Sequence, residues 1–190
     1  MLYLSDKYPE AVGYAAAAHA EQVRKGTDIP YISHPIAVSA LVVEHGGNEV
    51  QAIAALLHDV LEDCGAHHAP VIAERFGREV LTIVEGLTDG TPDDRGVKPP
   101  WRERKERYLA HLADADRDIV LVSACDKLHN AMAIGDDHAA IGEAIFERFS
   151  QPRASTVWYY RELARVIAGR LGSDHRLVGR LEAALARWAV

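Results

Sequence analysis

Four ionisable side chains lie close together in one apolar stretch of this sequence. Residues 55–64 read ALLHDVLEDC, so that His58 and Asp59 form one adjacent pair and Glu62 and Asp63 form another. The five aliphatic residues around them predict a buried helix, on which side chains four apart share a face. Burying charged groups costs free energy unless they are paired, neutralised or bound to a metal. We therefore expect compensating groups from other segments to face this stretch.

Other short motifs offer suitable partners. His34 lies in YISHP, directly before Pro35, and Asp126 and Asn130 lie one helical turn apart in CDKLHN. The two imidazoles and two carboxylates of this set form a mixed nitrogen and oxygen shell: His34, His58, Asp59 and Asp126. Such a shell suits Mn²⁺, Fe²⁺, Zn²⁺ or Ni²⁺, and spacing alone does not choose among them. The remaining histidines, His129 included, show no comparable pattern.

The elements that must position these groups are predicted to be helices. Apolar residues recur with helical periodicity nearly from end to end, for example over 10–25, 49–63, 117–131 and 139–149, whereas no alternating strand pattern is present. We predict an all-α fold of about nine helices with no substantial sheet. Residues 88–100 are rich in Gly, Pro and Asp and are predicted to be irregular. We expect one domain over 1–190, with room for a peripheral final helix in 170–190.

Composition narrows the class of protein. The formal net charge of −7 disfavours a nucleic-acid binder, which needs a basic face. Two cysteines, Cys64 and Cys125, fit a reducing compartment and no disulfide framework. The N-terminus lacks the basic and apolar regions of a signal peptide, and no apolar run approaches the roughly 18 residues that span a membrane. These features predict a cytoplasmic protein. We expect a monomer or a small homo-oligomer, between which the sequence does not choose.

Seven motifs in fixed order carry a family resemblance over about residues 10–135. They are RKG at 24–26, PYISHP, ALLHDVLED, ERFG, VEGLTD, RERK and ACDKLHN. Together they resemble the HD-domain metal-dependent phosphohydrolases. Within that group the sequence is most similar to the hydrolase domain of the RelA/SpoT alarmone enzymes and to the Mesh1-like small alarmone hydrolases. The resemblance implies the helical HD fold.

The resemblance also implies an activity and a set of residue roles. The family removes the 3′-diphosphate from (p)ppGpp, which gives GDP or GTP and pyrophosphate. The resemblance implies that one Mn²⁺ is bound by four ligands: His34, His58, Asp59 and Asp126. It assigns Glu62 and Asp63 to positioning and activating the attacking water. The implied substrate contacts are Arg24, Lys25, Arg104, Lys105, Asn130 and a tyrosine near the base, Tyr159 or Tyr160.

Several alternatives stay open at this point. Lys98 and Arg102 compete with Arg104 and Lys105 for the phosphate contacts, and spacing does not choose between the two tyrosines. Some single-domain relatives act on other nucleotides, such as (p)ppApp or NADPH, so another HD phosphohydrolase is the first rival. The second rival is not an enzyme but a binding or sensory HD protein, or an antitoxin-like partner that neutralises a toxic alarmone synthetase by contact.

Overall fold

The computed structural model describes residues 3–89 and 99–189, and this part of the chain is helical almost throughout. Its nine α-helices are α1 (Lys7–Ala18), α2 (Ser33–Glu44), α3 (Glu49–Leu57), α4 (Ala69–Phe76), α5 (Arg78–Leu87), α6 (Trp101–Asp114), α7 (Arg117–Ile141), α8 (Arg153–Leu171) and α9 (Arg176–Leu185). Within the described ranges the only β pairing is an isolated bridge between Val23 and Pro30. The all-α prediction is confirmed.

Two central helices, α3 and α7, organise the core. Helix α3 packs against α1, α2, α5 and α7, and α7 also packs against α2, α5, α8 and α9. Residues 52–57 of α3 and residues 119–126 of α7 are buried without interruption. Because both helices are covered on several sides, polar groups on them or directly after them are held in a rigid apolar frame.

The predicted helix over 10–25 is too long. Helix α1 ends at Ala18. Residues 19–32 form a loop whose two halves are joined by backbone hydrogen bonds. The amide of Arg24 donates to the carbonyl of Ile29 at 2.8 Å, and the amide of Tyr31 donates to the carbonyl of Gln22 at 2.9 Å. These bonds across the loop satisfy the backbone groups that a longer helix would have paired internally, so helix propensity is overridden here.

The predicted continuous helix over 49–63 is also wrong. Helix α3 ends at Leu57, a turn holds residues 58–59, and a π-helical turn, Val60–Cys64, follows. Gly65 ends this turn at φ 115°, a backbone conformation that glycine tolerates. The π-turn is wider than an α-turn, so the side chains after Asp59 point in directions that α-helical spacing does not give.

The C-terminal half differs from expectation in two places. Helix α7 continues to Ile141, and a 3₁₀-helix, Gly142–Arg148, replaces the separate helix predicted over 139–149. Helix α9 packs on α7 and α8, and the fully buried Trp188 donates from Nε1 to the carbonyl of Ala131 at 3.0 Å. The final segment is therefore part of the core, and the expectation of a peripheral helix over 170–190 is corrected.

The predicted irregular stretch and the expected lack of a membrane span are the two remaining predictions about the fold. Most of the irregular stretch predicted over 88–100, including Lys98, lies in residues 90–98, outside the described residues. Among the helices of the described ranges, none combines the length and the apolar character that crossing a membrane requires.

Candidate metal centre and adjoining cavity

Three side chains from distant segments meet at the junction of α2, α3 and α7. One ligating atom from each of His34, His58 and Asp126 lies within 4.8 Å of the other two, and all three residues are buried. Nε2 of His34 lies 3.1 Å from Oδ1 of Asp126, and Nε2 of His58 lies 3.7 Å from the same oxygen. His34 comes from the first turn of α2, His58 directly follows α3, and Asp126 comes from the middle of α7.

Asp59 adds a second carboxylate to this group. Its Oδ2 lies 2.8 Å from Nε2 of His58 and 3.8 Å from Nε2 of His34. The hydroxyl of Tyr31, in the loop before α2, donates to the same Oδ2. The four side chains expected to bind a metal are thus brought together, and their role as ligands remains a prediction.

The chemistry of His58 fits a bound cation. Its Nδ1 donates to the carbonyl of Ala55 at 2.8 Å, so Nε2 is the nitrogen that faces the carboxylates. This buried Nε2 lies 2.8 Å from Oδ2 of Asp59 and 3.7 Å from Oδ1 of Asp126. Burial acts to lower the pKa of His58, but Asp59 and then Asp126 raise it to about 9. The site therefore favours positive charge at Nε2, which a divalent cation supplies.

The carboxylate of Asp126 is held ionised by its own neighbours. Burial acts to raise its pKa, but Lys127 and the two histidines hold the pKa well below its usual range. Nζ of Lys127 donates to Oδ2 at 2.5 Å, and Nδ2 of Asn130 donates to Oδ1 at 2.6 Å. Both of these donors also line the adjoining cavity. Lys127 and Asn130 therefore connect the cavity to a carboxylate of the candidate metal centre.

The π-turn carries the two carboxylates that the sequence assigns to water activation. Oδ2 of Asp63 accepts a hydrogen bond from Nε2 of Gln22 at 2.8 Å, and Oε2 of Glu62 accepts one from the amide of Asp89 at 3.4 Å. Burial and the neighbouring carboxylates of Asp59 and Glu62 raise the pKa of Asp63, against the opposing effect of Gln22. The catalytic roles of both carboxylates stay predictions.

A cavity of about 690 Å³ opens beside the candidate metal centre. Its walls include every residue expected to contact substrate: Arg24, Lys25, Arg104, Lys105, Asn130, Tyr159 and Tyr160. Lys127 and Arg148 add two further cations, while Asp136 and Asp137 are the carboxylates on its described lining. The excess of cations and the aromatic rings together suit an anionic ligand that carries a flat ring system.

Arg104 and Lys105 form an anchored pair on the cavity wall. Both contact the buried carboxylate of Asp89, and Nη1 of Arg104 also donates to the Asp89 carbonyl at 3.0 Å. Nζ of Lys105 lies 4.8 Å from the ring centre of Tyr159. Arg102, in contrast, stacks over Trp158 at 3.3 Å and is not among the lining residues. The geometry favours Arg104 and Lys105 over Arg102 as ligand contacts.

The two tyrosines remain alternatives. Tyr159 and Tyr160 are both buried and both line the cavity. Tyr160 packs edge to face against Trp188, with ring centres 5.2 Å apart, whereas Tyr159 packs against Trp101 at 5.9 Å. Since Trp101 also lines the cavity, the Tyr159 side of the wall is the more aromatic one.

The sequence analysis did not predict several residues at this site. Tyr31, Lys127, His129 and Arg148 line the cavity, and Gln22 supports Asp63. Lys127 carries a usable signal, because it directly follows Asp126 in the DKLHN motif. Gln22 carries none, since its position was predicted to be helical and its partner lies 41 residues away.

The chain belongs to the HD-domain family. The model of that family, described as HD domain, matches residues 11–151, which is more than half of the chain. The resemblance stated from the sequence motifs is thereby confirmed.

Particular relatives narrow the comparison. The chain is 32% identical, over 91% of its length and 89% of the relative's, to the guanosine-3′,5′-bis(diphosphate) 3′-pyrophosphohydrolase MESH1 of Xenopus tropicalis. It is 35% identical over 66% of its length to the GTP pyrophosphokinase rsh of Brucella ovis, of which it spans only 16%. The solved structure of a metazoan ortholog of SpoT that hydrolyses ppGpp superposes with a TM-score of 0.78 and 25% identity, with 98% of both chains covered.

Proposed function

We propose that this protein is a metal-dependent 3′-pyrophosphohydrolase of alarmone nucleotides such as (p)ppGpp. One observation carries the proposal: a cluster of two imidazoles and two carboxylates, of which all but Asp59 are buried, adjoins a cationic cavity large enough for a nucleotide. The activities of the MESH1 relative and of the SpoT ortholog support the same reaction.

The proposed cofactor is one Mn²⁺, held by His34, His58, Asp59 and Asp126. When bound, such an ion lowers the pKa of water and neutralises charge on a phosphoryl group. The mixed shell of nitrogen and oxygen donors suits several first-row divalent ions, of which Mn²⁺ is one. Tyr31, through its hydrogen bond to Asp59, and Lys127, through its contact with Asp126, keep the two carboxylates oriented.

The proposed reaction is a hydrolysis of the bond between the ribose 3′-oxygen and phosphorus. The oxygen of water attacks the inner phosphorus of the 3′-diphosphate, Glu62 accepts a proton from that water, and Asp63 orients it. The bond to the 3′-oxygen breaks, the 3′-oxygen takes up a proton, and GDP or GTP and pyrophosphate are released. Both carboxylates lie on the π-turn that follows Asp59, which supports a shared role in activating the water.

The cavity residues are proposed to bind the nucleotide. Arg24 and Lys25 neutralise phosphate charge from the loop, and Arg104 and Lys105 do so from the first turns of α6. Asn130, which already bonds Asp126 and accepts from Nη2 of Arg24 at 2.9 Å, is proposed to lie beside the ribose or the inner phosphate. Tyr159 or Tyr160 packs near the base.

Product analysis tests the proposal. The Mn²⁺-loaded protein is incubated with ppGpp, ppApp and NADPH, and the products are separated by chromatography. We expect GDP and pyrophosphate from ppGpp. Release of a single phosphate from another nucleotide, with ppGpp left intact, would instead support a different HD phosphohydrolase. Intact nucleotides throughout would favour the antitoxin-like alternative.

Two variants and a metal exchange accompany this assay. His58→Ala is expected to lose metal content and turnover together, whereas His67→Ala, which changes an exposed histidine, retains both. After chelation, activity is expected to return more fully with Mn²⁺ than with Mg²⁺, because Mg²⁺ disfavours nitrogen ligands.

A cytoplasmic location and a monomeric or small homo-oligomeric state stay predictions from the sequence.

A further inference from the structure

His129 joins the candidate metal centre to the nucleotide cavity. Its Nδ1 lies 2.8 Å from Nδ1 of His34, and the two ring centres are 4.9 Å apart. The same imidazole lines the cavity between Lys127 and Asn130 of the DKLHN motif. Within the described part of the chain the hydrogen-bond contact of His129 is made by Nδ1 and not by Nε2, and the residue is only partly buried. The ring therefore has one nitrogen engaged and the other available.

The contact between the two rings constrains the position of protons. Nε2 of His34 faces Oδ1 of Asp126 at 3.1 Å, in the cluster where the metal is proposed to bind. A nitrogen that binds a metal presents a lone pair, so the proton of a neutral His34 must sit on its Nδ1. With a metal on Nε2 of His34, that proton is donated to Nδ1 of His129 across the 2.8 Å contact. The proton of His129 then sits on Nε2, the nitrogen that remains available.

We propose that His129 is a positioning residue that holds His34 in its metal-binding tautomer and offers an Nε2–H donor to the nucleotide. The inference rests on the proposed function, which it deepens. A metal-binding histidine usually donates its second nitrogen to an oxygen acceptor, and losing that acceptor weakens metal binding about 10–100-fold. In this protein the acceptor is a second imidazole, and the same imidazole reaches the cavity.

A pair of substitutions separates the two roles. In His129→Ala both the acceptor and the donor are lost. In His129→Asn the amide oxygen stands where Nδ1 stood, so the acceptor for His34 is restored while the Nε2–H donor is not. His138→Ala, on the same helix but bonded to Glu143 at 3.2 Å, is the matched control. Thermal unfolding of each variant verifies that it folds.

Two readouts are needed. Mn²⁺ affinity is measured by calorimetric titration into metal-stripped protein, and kcat and KM are measured with ppGpp. We expect His129→Ala to bind Mn²⁺ about 10–100-fold more weakly, His129→Asn to bind it nearly as the unsubstituted protein does, and both to show a raised KM. His138→Ala should change neither quantity.

The outcomes distinguish the inference from the proposed function. Unchanged Mn²⁺ affinity in His129→Ala, in a protein that hydrolyses ppGpp, would overturn the inference and leave the function intact. Equal weakening in His129→Ala and His129→Asn would also overturn it, because the acceptor would then be irrelevant. Conversely, weaker Mn²⁺ binding in His129→Ala alone, in a protein that leaves ppGpp intact, would support the positioning role and count against the proposed substrate.

Discussion

At the scale of single residues, compensation of buried charge governs the site. Asp126 is buried, yet Lys127 and two histidines keep it ionised. The charge of Asp59 is likewise offset, since burial acts to raise its pKa but His58 lowers it below the usual range. Buried charges that are offset in this way are costly to disturb one at a time, because removing one partner leaves the other without compensation. Metal binding and catalysis are therefore best separated at a residue outside this cluster.

Glu62→Gln provides that separation. The amide preserves the size of the side chain but removes its ability to accept a proton, so we expect metal content to be unchanged. General base catalysis contributes roughly 10²–10⁴-fold, and turnover should fall by about that factor. Metal content is measured by elemental analysis and kcat with ppGpp, with the exposed Glu143→Gln as the control. Full turnover in Glu62→Gln would show that the water-activating assignment is wrong.

At the scale of elements, the loop over 19–32 does more than connect two helices. It carries Arg24 and Lys25 on the cavity wall, Gln22 at Asp63 and Tyr31 at Asp59. Gly26 allows the close approach of Arg148, which also lines the cavity. Its φ is +73°, and a β-carbon built at Gly26 would lie 2.5 Å from Cδ of Arg148. A side chain at this position would therefore disturb the cavity wall.

Gly26→Ala tests the role of the loop. Placing alanine in the left-handed region costs about 1–2 kcal/mol, and the new methyl group also displaces Arg148. We expect a several-fold rise in KM for ppGpp with little change in metal content. Gly46→Ala is the control, since Gly46 has φ +86° and no described atom within 4 Å of a built β-carbon. Similar stability losses with equal KM values in the two variants would contradict a role for this contact.

At the scale of the whole molecule, the final segment closes the core around the helix that carries Asp126. Leu177, Leu181 and Trp188 are all buried, and helix α9 packs along α7. The carbonyl of Ala131, which accepts from Trp188, lies one residue after Asn130. The C-terminal segment therefore stabilises the same part of α7 that lines the cavity.

Trp188→Ala is expected to destabilise the protein by about 3–5 kcal/mol, the usual cost of truncating a buried tryptophan. Urea denaturation followed by circular dichroism measures this loss. Trp158→Ala, which removes a partly exposed ring stacked on Arg102, should cost only about 1 kcal/mol. If the proposed single-domain organisation is right, one unfolding transition shifts as a whole, whereas loss of the C-terminal segment alone would contradict it.

Sequence alone determined the fold class and the candidate ligands. Helical periodicity is a local property of the sequence. The residue types and spacing around His34, His58 and Asp126 indicate metal-binding chemistry. Tertiary structure decided where α1 and α3 end, how the π-turn directs Glu62 and Asp63, and that His129 faces His34. The partners in those contacts are far apart in the chain: His34 and His129 are separated by 95 residues, and Arg24 and Asn130 by 106. A contact between such distant residues leaves no periodic signal in either segment, because only the packing of helices brings them within reach of each other.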